Sequence, residues 1–328
     1  MLTLLNKLQM KKILFAITLF AAVSNLSAQH TTEAEESLKT QSTDTLDGWK
    51  TGGVASLNLT QVSLTNWTAG GENSLSVNGI LSLFANLKKG NSTWDNSLDL
   101  SYGLLQQGSD DIRKTDDKID FTSKYGQKAF KNWYYAGLVN FKSQMTAGYN
   151  YPDDSTEISN FLAPAYVLGA IGMDYKPSEV FTLFISPLTM KMTIVNDQTL
   201  ADAGAFGVEA AEFDDAGVQT KAGLTTRSEY GGYLRGLFTK EIMKNINLQT
   251  KLELFSNYQE SPSNIDVNWE VLIAMKVNKY ISATLSTQLL YDDDIDIAVD
   301  NNNDGVIDAI GPRTQFKEVL GVGLSYKF

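Results

Sequence analysis

The stretch Phe316-Lys317-Glu318-Val319-Leu320-Gly321-Val322-Gly323-Leu324-Ser325-Tyr326-Lys327-Phe328 decides the fold. Successive side chains of an extended chain point to opposite faces. Phe316, Leu320, Val322, Leu324, Tyr326 and Phe328 therefore share one face, and Lys317, Gly321, Gly323, Ser325 and Lys327 the other. One face suits lipid and the other suits water or a packed polar interior. A chain that closes on such a strand, with an aromatic residue last, meets the need of a transmembrane β-barrel. Its last strand must pair with its first so that no edge is left open in the membrane.

Moving back along the chain, the same period of two recurs from residue 49 onward, which is the signature of strands and not of helices. Twelve segments carry it, near 53–65, 73–88, 91–107, 117–130, 132–147, 163–176, 179–194, 219–240, 244–258, 264–277, 280–292 and 313–328. Ile265, Val267, Trp269, Val271, Ile273, Met275 and Val277 alternate with Asp266, Asn268, Glu270, Leu272, Ala274 and Lys276. Even-numbered segments end in short links such as Lys176-Pro177-Ser178, and most odd-numbered ones in long polar loops at 108–116, 148–162, 195–218 and 293–312. Short turns at one end and long loops at the other are the asymmetry of an outer-membrane barrel with both termini periplasmic. The expected fold is thus an all-β, antiparallel outer-membrane β-barrel of about 12 strands.

The 328 residues, of which 43% are hydrophobic, look soluble in bulk. Barrels hide in such a composition because lipid-facing and lumen-facing residues alternate. Lys11 and Lys12, the apolar run Ile13 to Val23 and the small pair Ser27-Ala28 read as a signal peptide over 1–28, with Met1 or Met10 as the start. Residues 29–48 are polar, acidic and aperiodic and read as a disordered periplasmic lead-in, leaving 49–328 as the barrel domain. Without residues 1–28 the chain keeps 24 basic against 38 acidic residues, a net charge of −14. That balance excludes nucleic acid as a partner. The absence of cysteine excludes a lipid-modified N-terminal Cys, disulfides and thiolate metal sites. The sole histidine, His30, lies in the lead-in, so a histidine-based hydrolase would lack its base, and an enzyme is not expected. Glu253 and Glu270 could in principle do glycosidic chemistry, but Lys251 and Lys276 explain them as balanced lumen charges.

Three constellations could carry binding. Asp300, Asn302, Asp304, Val306 and Asp308, with Gly305 at the sharp turn, match the first three quarters of a calcium loop. The twelfth position is Gly311 and not the bidentate Glu, so the expected site is weak, with Asp292 to Asp296 as further ligands; the alternative is an acidic loop that binds nothing specific. Trp67 and Glu72, set around Gly70-Gly71, read either as a pore-mouth contact or as a girdle residue beside a turn. Trp94, Trp133, Tyr134, Tyr135, Tyr230 and Tyr233 read as girdle or core. Third, alternation puts Asp99, Asp120, Lys124, Lys251, Glu253, Glu270, Lys276 and Lys317 on the inward face, where they either line a wet channel or neutralise one another. The acidic loop 195–218, with its apolar stretch Ala203-Gly204-Ala205-Phe206, could fold inward and narrow the lumen.

The segments Leu64-Thr65-Asn66-Trp67-Thr68-Ala69-Gly70-Gly71-Glu72-Asn73-Ser74 and Pro312 to Phe328 resemble the opening and closing signatures of a Bacteroidetes family, domain of unknown function 3078. The resemblance runs from about Trp49 to Phe328. It implies an exported outer-membrane barrel and supplies no substrate or catalytic residue. The leading functional expectation is a channel or transporter for a small solute, gated by the loop 195–218. The alternative is a non-conducting surface or structural barrel that acts through its acidic loops in adhesion, lipid contact or assembly. The partners expected are outer-membrane lipid, the barrel-assembly machinery during biogenesis and a small solute; no cofactor is required beyond calcium.

Overall fold

The computed structural model describes residues 47–65, 72–151, 153–278, 281–299 and 308–327. Residues 1–28, nearly all of the lead-in, Trp67, Asp300, Asn302, Asp304, Val306 and Phe328 lie outside them. Twelve strands form one closed antiparallel barrel. They are β1 (Gly48–Val62), β2 (Ser74–Lys89), β3 (Ser92–Gln107), β4 (Arg113–Phe130), β5 (Trp133–Ser143), β6 (Ala165–Tyr175), β7 (Phe181–Ile194), β8 (Thr226–Met243), β9 (Ile246–Asn257), β10 (Asp266–Lys276), β11 (Ile281–Tyr291) and β12 (Gln315–Lys327). Each pairs with the next in sequence, and β12 returns to β1.

Side-chain alternation fixes which face is which. Ile171, Leu188 and Leu320 are 64%, 63% and 68% exposed, whereas Asp120, Lys251 and Glu253 are 2%, 6% and 6% exposed. This inverts a water-soluble protein, and it is the arrangement that hydrocarbon outside and a polar filling inside require. The chain thus builds a transmembrane β-barrel. Aromatic residues cluster on the outside near the short turns. Trp49 and Trp94 pack with ring centroids 5.8 Å apart, and the Trp94 indole donates to Ser123 Oγ at 2.9 Å. Tyr125, Phe130 and Tyr135 are exposed beside them. Trp269, Tyr230 and Phe316 are exposed towards the long-loop end.

Two strands differ from the sequence expectation. Residues 219–221 are extended, but they pair with Glu212–Phe213 as a hairpin inside the loop, and the barrel strand β8 begins only at Thr226. The cause is Asp202, whose carboxylate accepts from the Gly223 N–H at 2.7 Å and ties that segment to the short helix α1 (Gln198–Asp202). β5 ends at Ser143 and not near 147, because the Met145 and Thr146 N–H groups donate to the Asp117 carboxylate and leave the ladder. Pro187 sits where the register shifts between β7 and both its neighbours, so its missing N–H breaks no regular rung. Gly172 opposite it could carry no side chain, since a Cβ would lie 2.0 Å from the Ile185 carbonyl oxygen.

Candidate functional site

Inside the barrel the strands from β5 to β9 contribute a small apolar cluster: Ala136, Leu138, Ala170, Phe184, Tyr233 and Phe255. It fills one side of the lumen. Against it stands a lattice of ion pairs that crosses the barrel. Lys118 on β4 lies 3.0 Å from Glu270 on β10, and these strands are diametrically opposed in the ring of twelve. Lys251 on β9 lies 3.1 Å from Asp120 on β4 and 3.0 Å from Glu270. Lys142 on β5 lies 2.6 Å from Glu253 on β9.

Neutral partners complete the lattice. The Asn140 amide donates to Asp120 at 2.6 Å, the Tyr233 hydroxyl to Glu253 at 2.7 Å and the Asn268 amide to Glu253 at 2.8 Å. Buried charges are tolerated only when paired and hydrogen-bonded in this way. The result is a cross-brace, not a ring of charges around open water.

Two further groups flank it. Towards the short turns, Lys124 lies 2.7 Å from Asp174, and Lys176 lies 2.6 Å from Asp95 and 3.4 Å from Asp174. Lys176 follows the end of β6; burial works against its charge, but Asp95 and Asp174 outweigh that and hold its ammonium above the usual lysine range. Towards the long loops, Lys191 lies 2.8 Å from Asp266 and 3.2 Å from Asp292, and Arg227 lies 2.7 Å from Asp294 and 2.9 Å from Glu260. The Arg227 guanidinium also donates to the Gly207 carbonyl at 3.2 Å. The loop after β7 thereby reaches towards the loop after β11. Its apolar residues Leu200, Ala201 and Val208 bury against Val195 and Ala163, with Phe206 packed on them.

A cavity of about 270 Å³ occupies the space that the cluster leaves. Asn78, Ile80 and Phe84 of β2, Asp99 of β3 and Val319 of β12 are among its lining residues, with Lys118, Lys251 and Glu270 of the lattice also in its wall.

Of the residues singled out from sequence, Asp120, Lys251, Glu253 and Glu270 meet in the lattice, and Lys124 joins the group nearer the short turns. Lys317 lies 2.5 Å from Asp116 and, with Asp99, lines the cavity. Lys276 ends β10, apart from the lattice, where its N–H donates to the Asn245 carbonyl at 2.9 Å. Glu72 is exposed beside Gly108 at the long-loop end. Asp308 is exposed, while Asp292 and Asp294, expected as further calcium ligands, are engaged by Lys191 and Arg227. Among the described residues no group of three or more acidic or histidine side chains is arranged to hold a metal ion. Lys118, Lys142, Arg235, Tyr233 and Asn140 were not anticipated, although Lys118 shares its inward parity with Asp120 on the same strand.

A family model described as "Protein of unknown function (DUF3078)" matches residues 59–149. That span includes the opening signature but not the closing one. No curated protein matches the chain in sequence. Among solved structures, an outer membrane channel from Pseudomonas putida F1 is similar at 13% identity and a TM-score of 0.37, over 87% of this chain and 97% of that one. The translocator domain of the autotransporter NalP from Neisseria meningitidis is similar at 10% identity and a TM-score of 0.35, over 94% and 97%. The NanC porin is similar at 10% identity and a TM-score of 0.33, over 83% and 98%. Likenesses this loose transfer neither cargo nor mechanism.

Proposed function

We propose that this barrel sits in the outer membrane as a channel or transporter for a small solute, held closed in the state described. The observation that carries the reading is the cavity of about 270 Å³ that ends against the ion-pair lattice. A single layer of side chains, and no folded plug domain among the described residues, separates that cavity from the long-loop mouth. Lys118, Asp120, Lys251, Glu253 and Glu270 would then be the gate, and the loop 195–218 a cover tied down through Arg227. The same lattice favours a second reading, a non-conducting barrel that acts through its acidic loops, because pairs so complete need no further partner.

Planar-bilayer recording separates the two. The native protein is expected to be nearly silent, and replacing both members of a pair (Lys118→Ser with Glu270→Ser, Lys142→Ser with Glu253→Ser) to give stepwise current. Folded variants that stay silent would sink the channel. Calcium binding at Asp300, Asn302, Asp304, Val306 and Asp308 is a separate proposal. Calorimetry is expected to show weak heat with the native protein and none after Asp304→Ala; no heat from the native protein at millimolar calcium removes it.

A further inference from the structure

β12 pairs with β11 over ten positions, from Ile281↔Leu324 to Leu290↔Gln315, but with β1 over only five, from Val54↔Lys327 to Asn58↔Gly323. Beyond Asn58 both strands continue, β1 to Val62 and β12 back to Gln315, without facing each other in the ladder. The β1–β2 ladder, by contrast, runs to Val62. This fork opens at apolar depth, since Leu59, Leu320 and Val322 beside it are outward-facing and exposed. Backbone N–H and C=O groups are not left unpaired against hydrocarbon. The fork therefore calls for an occupant or for water admitted from the lumen.

The lumen side of the fork points to the occupant. Asn58 lies at its apex, 7% exposed, over Gly321, where a Cβ would come 2.8 Å from the Asn58 amide carbon. The Asn58 Nδ2 donates to nothing, and the Oδ1 of Asn78, its register partner on β2, accepts from nothing. A buried donor and a buried acceptor on adjacent strands are together unusual, because such atoms are nearly always satisfied. One carboxyl group in its acid form can accept from the first and donate to the second. Asn78, Ile80 and Phe84 on one side of β1 and Val319 on the other also line the cavity, so the fork borders it. The axial way out of that cavity is barred by the lattice. A polypeptide strand could complete the ladder, but it would leave both side-chain amides unsatisfied.

We propose that the β1–β12 fork is a lateral port that admits a fatty acid from the bilayer, with its chain between the parted strand edges and its carboxyl group at Asn58 and Asn78. The proposal rests on the membrane location given above but not on conduction, so a silent bilayer recording leaves it standing. The test uses the full chain in lipid discs with a diazirine-bearing palmitic acid, photolysed and mapped by peptide mass spectrometry. Adducts are expected at the lumen-facing positions 58, 78 and 319, in addition to those on the outer belt. Thr60→Cys with Gly321→Cys would face each other if the ladder ran on. In a chain with no other cysteine, their oxidation should abolish the lumen adducts and reduction restore them. Asn58→Leu should remove the adduct at 78 without closing the fork, and it serves if the cysteine pair fails to fold or oxidise. Adducts confined to the outer belt of all strands alike, lumen adducts indifferent to the disulfide and to Asn58→Leu, or a co-purifying polypeptide cross-linked at 59–62 would each overturn the proposal.

Discussion

Lys251 holds carboxylates from two other strands at once, Asp120 at 3.1 Å and Glu270 at 3.0 Å, while Asn140 takes the second oxygen of Asp120. Removing one member of such a group leaves a buried charge short of its partner, and that costs more than the pair contributes. Asp120→Ala should therefore lower unfolding stability in lipid vesicles by about 3 to 5 kcal/mol, read from urea titration of tryptophan fluorescence. Asp120→Leu with Lys251→Met should cost clearly less, because the charge left over is then Glu270, which keeps Lys118. Equal losses would mean that apolar packing around these positions, and not the charge pairing, sets the stability. None of this was legible along the chain. Alternation marks Asp120 and Lys251 as inward, but their meeting depends on a separation of 131 residues, and that of Lys118 with Glu270 on 152. Parity identifies the face of a strand; only closure of the ring identifies what stands opposite.

Strands were the most readable elements, since burial of one face and exposure of the other impose a strict period of two. Where that reading slipped, at 219–221, the local pattern was sound and the partner was not, because the segment pairs within its own loop. Val139 on β5 faces outward and is 51% exposed. Val139→Arg should cost about 2 to 4 kcal/mol in the same vesicle titration if it lies near the bilayer midplane. An unchanged midpoint would place β5 outside the hydrocarbon. The loop between β7 and β8 is held differently. The Gln198 amide and the Gly223 N–H both donate to Asp202, which holds its carboxyl below the usual carboxylate range. The folded loop thus prefers the anion. Its contribution is complete above the ordinary aspartate value of 3.8 and is lost as pH falls through the lower folded value. Amide exchange across residues 198–223 should rise only in that acid window, and Asp202→Asn should flatten the response. A rise at neutral pH would assign the loop's order to its apolar cluster instead.

At the scale of the whole molecule, the filling is lopsided. The apolar cluster and the lattice join β4 and β5 to β8, β9 and β10, whereas β1, β2 and β12 enclose the cavity and meet at a five-rung seam. Mechanically the barrel is a rim with spokes on one arc only. Spoked walls resist ovalisation, since moving one strand outward must part an ion pair on the far side. Strain from a thinner or more curved bilayer will accordingly gather in the unspoked arc, and the barrel should flex there while its charged half keeps its shape.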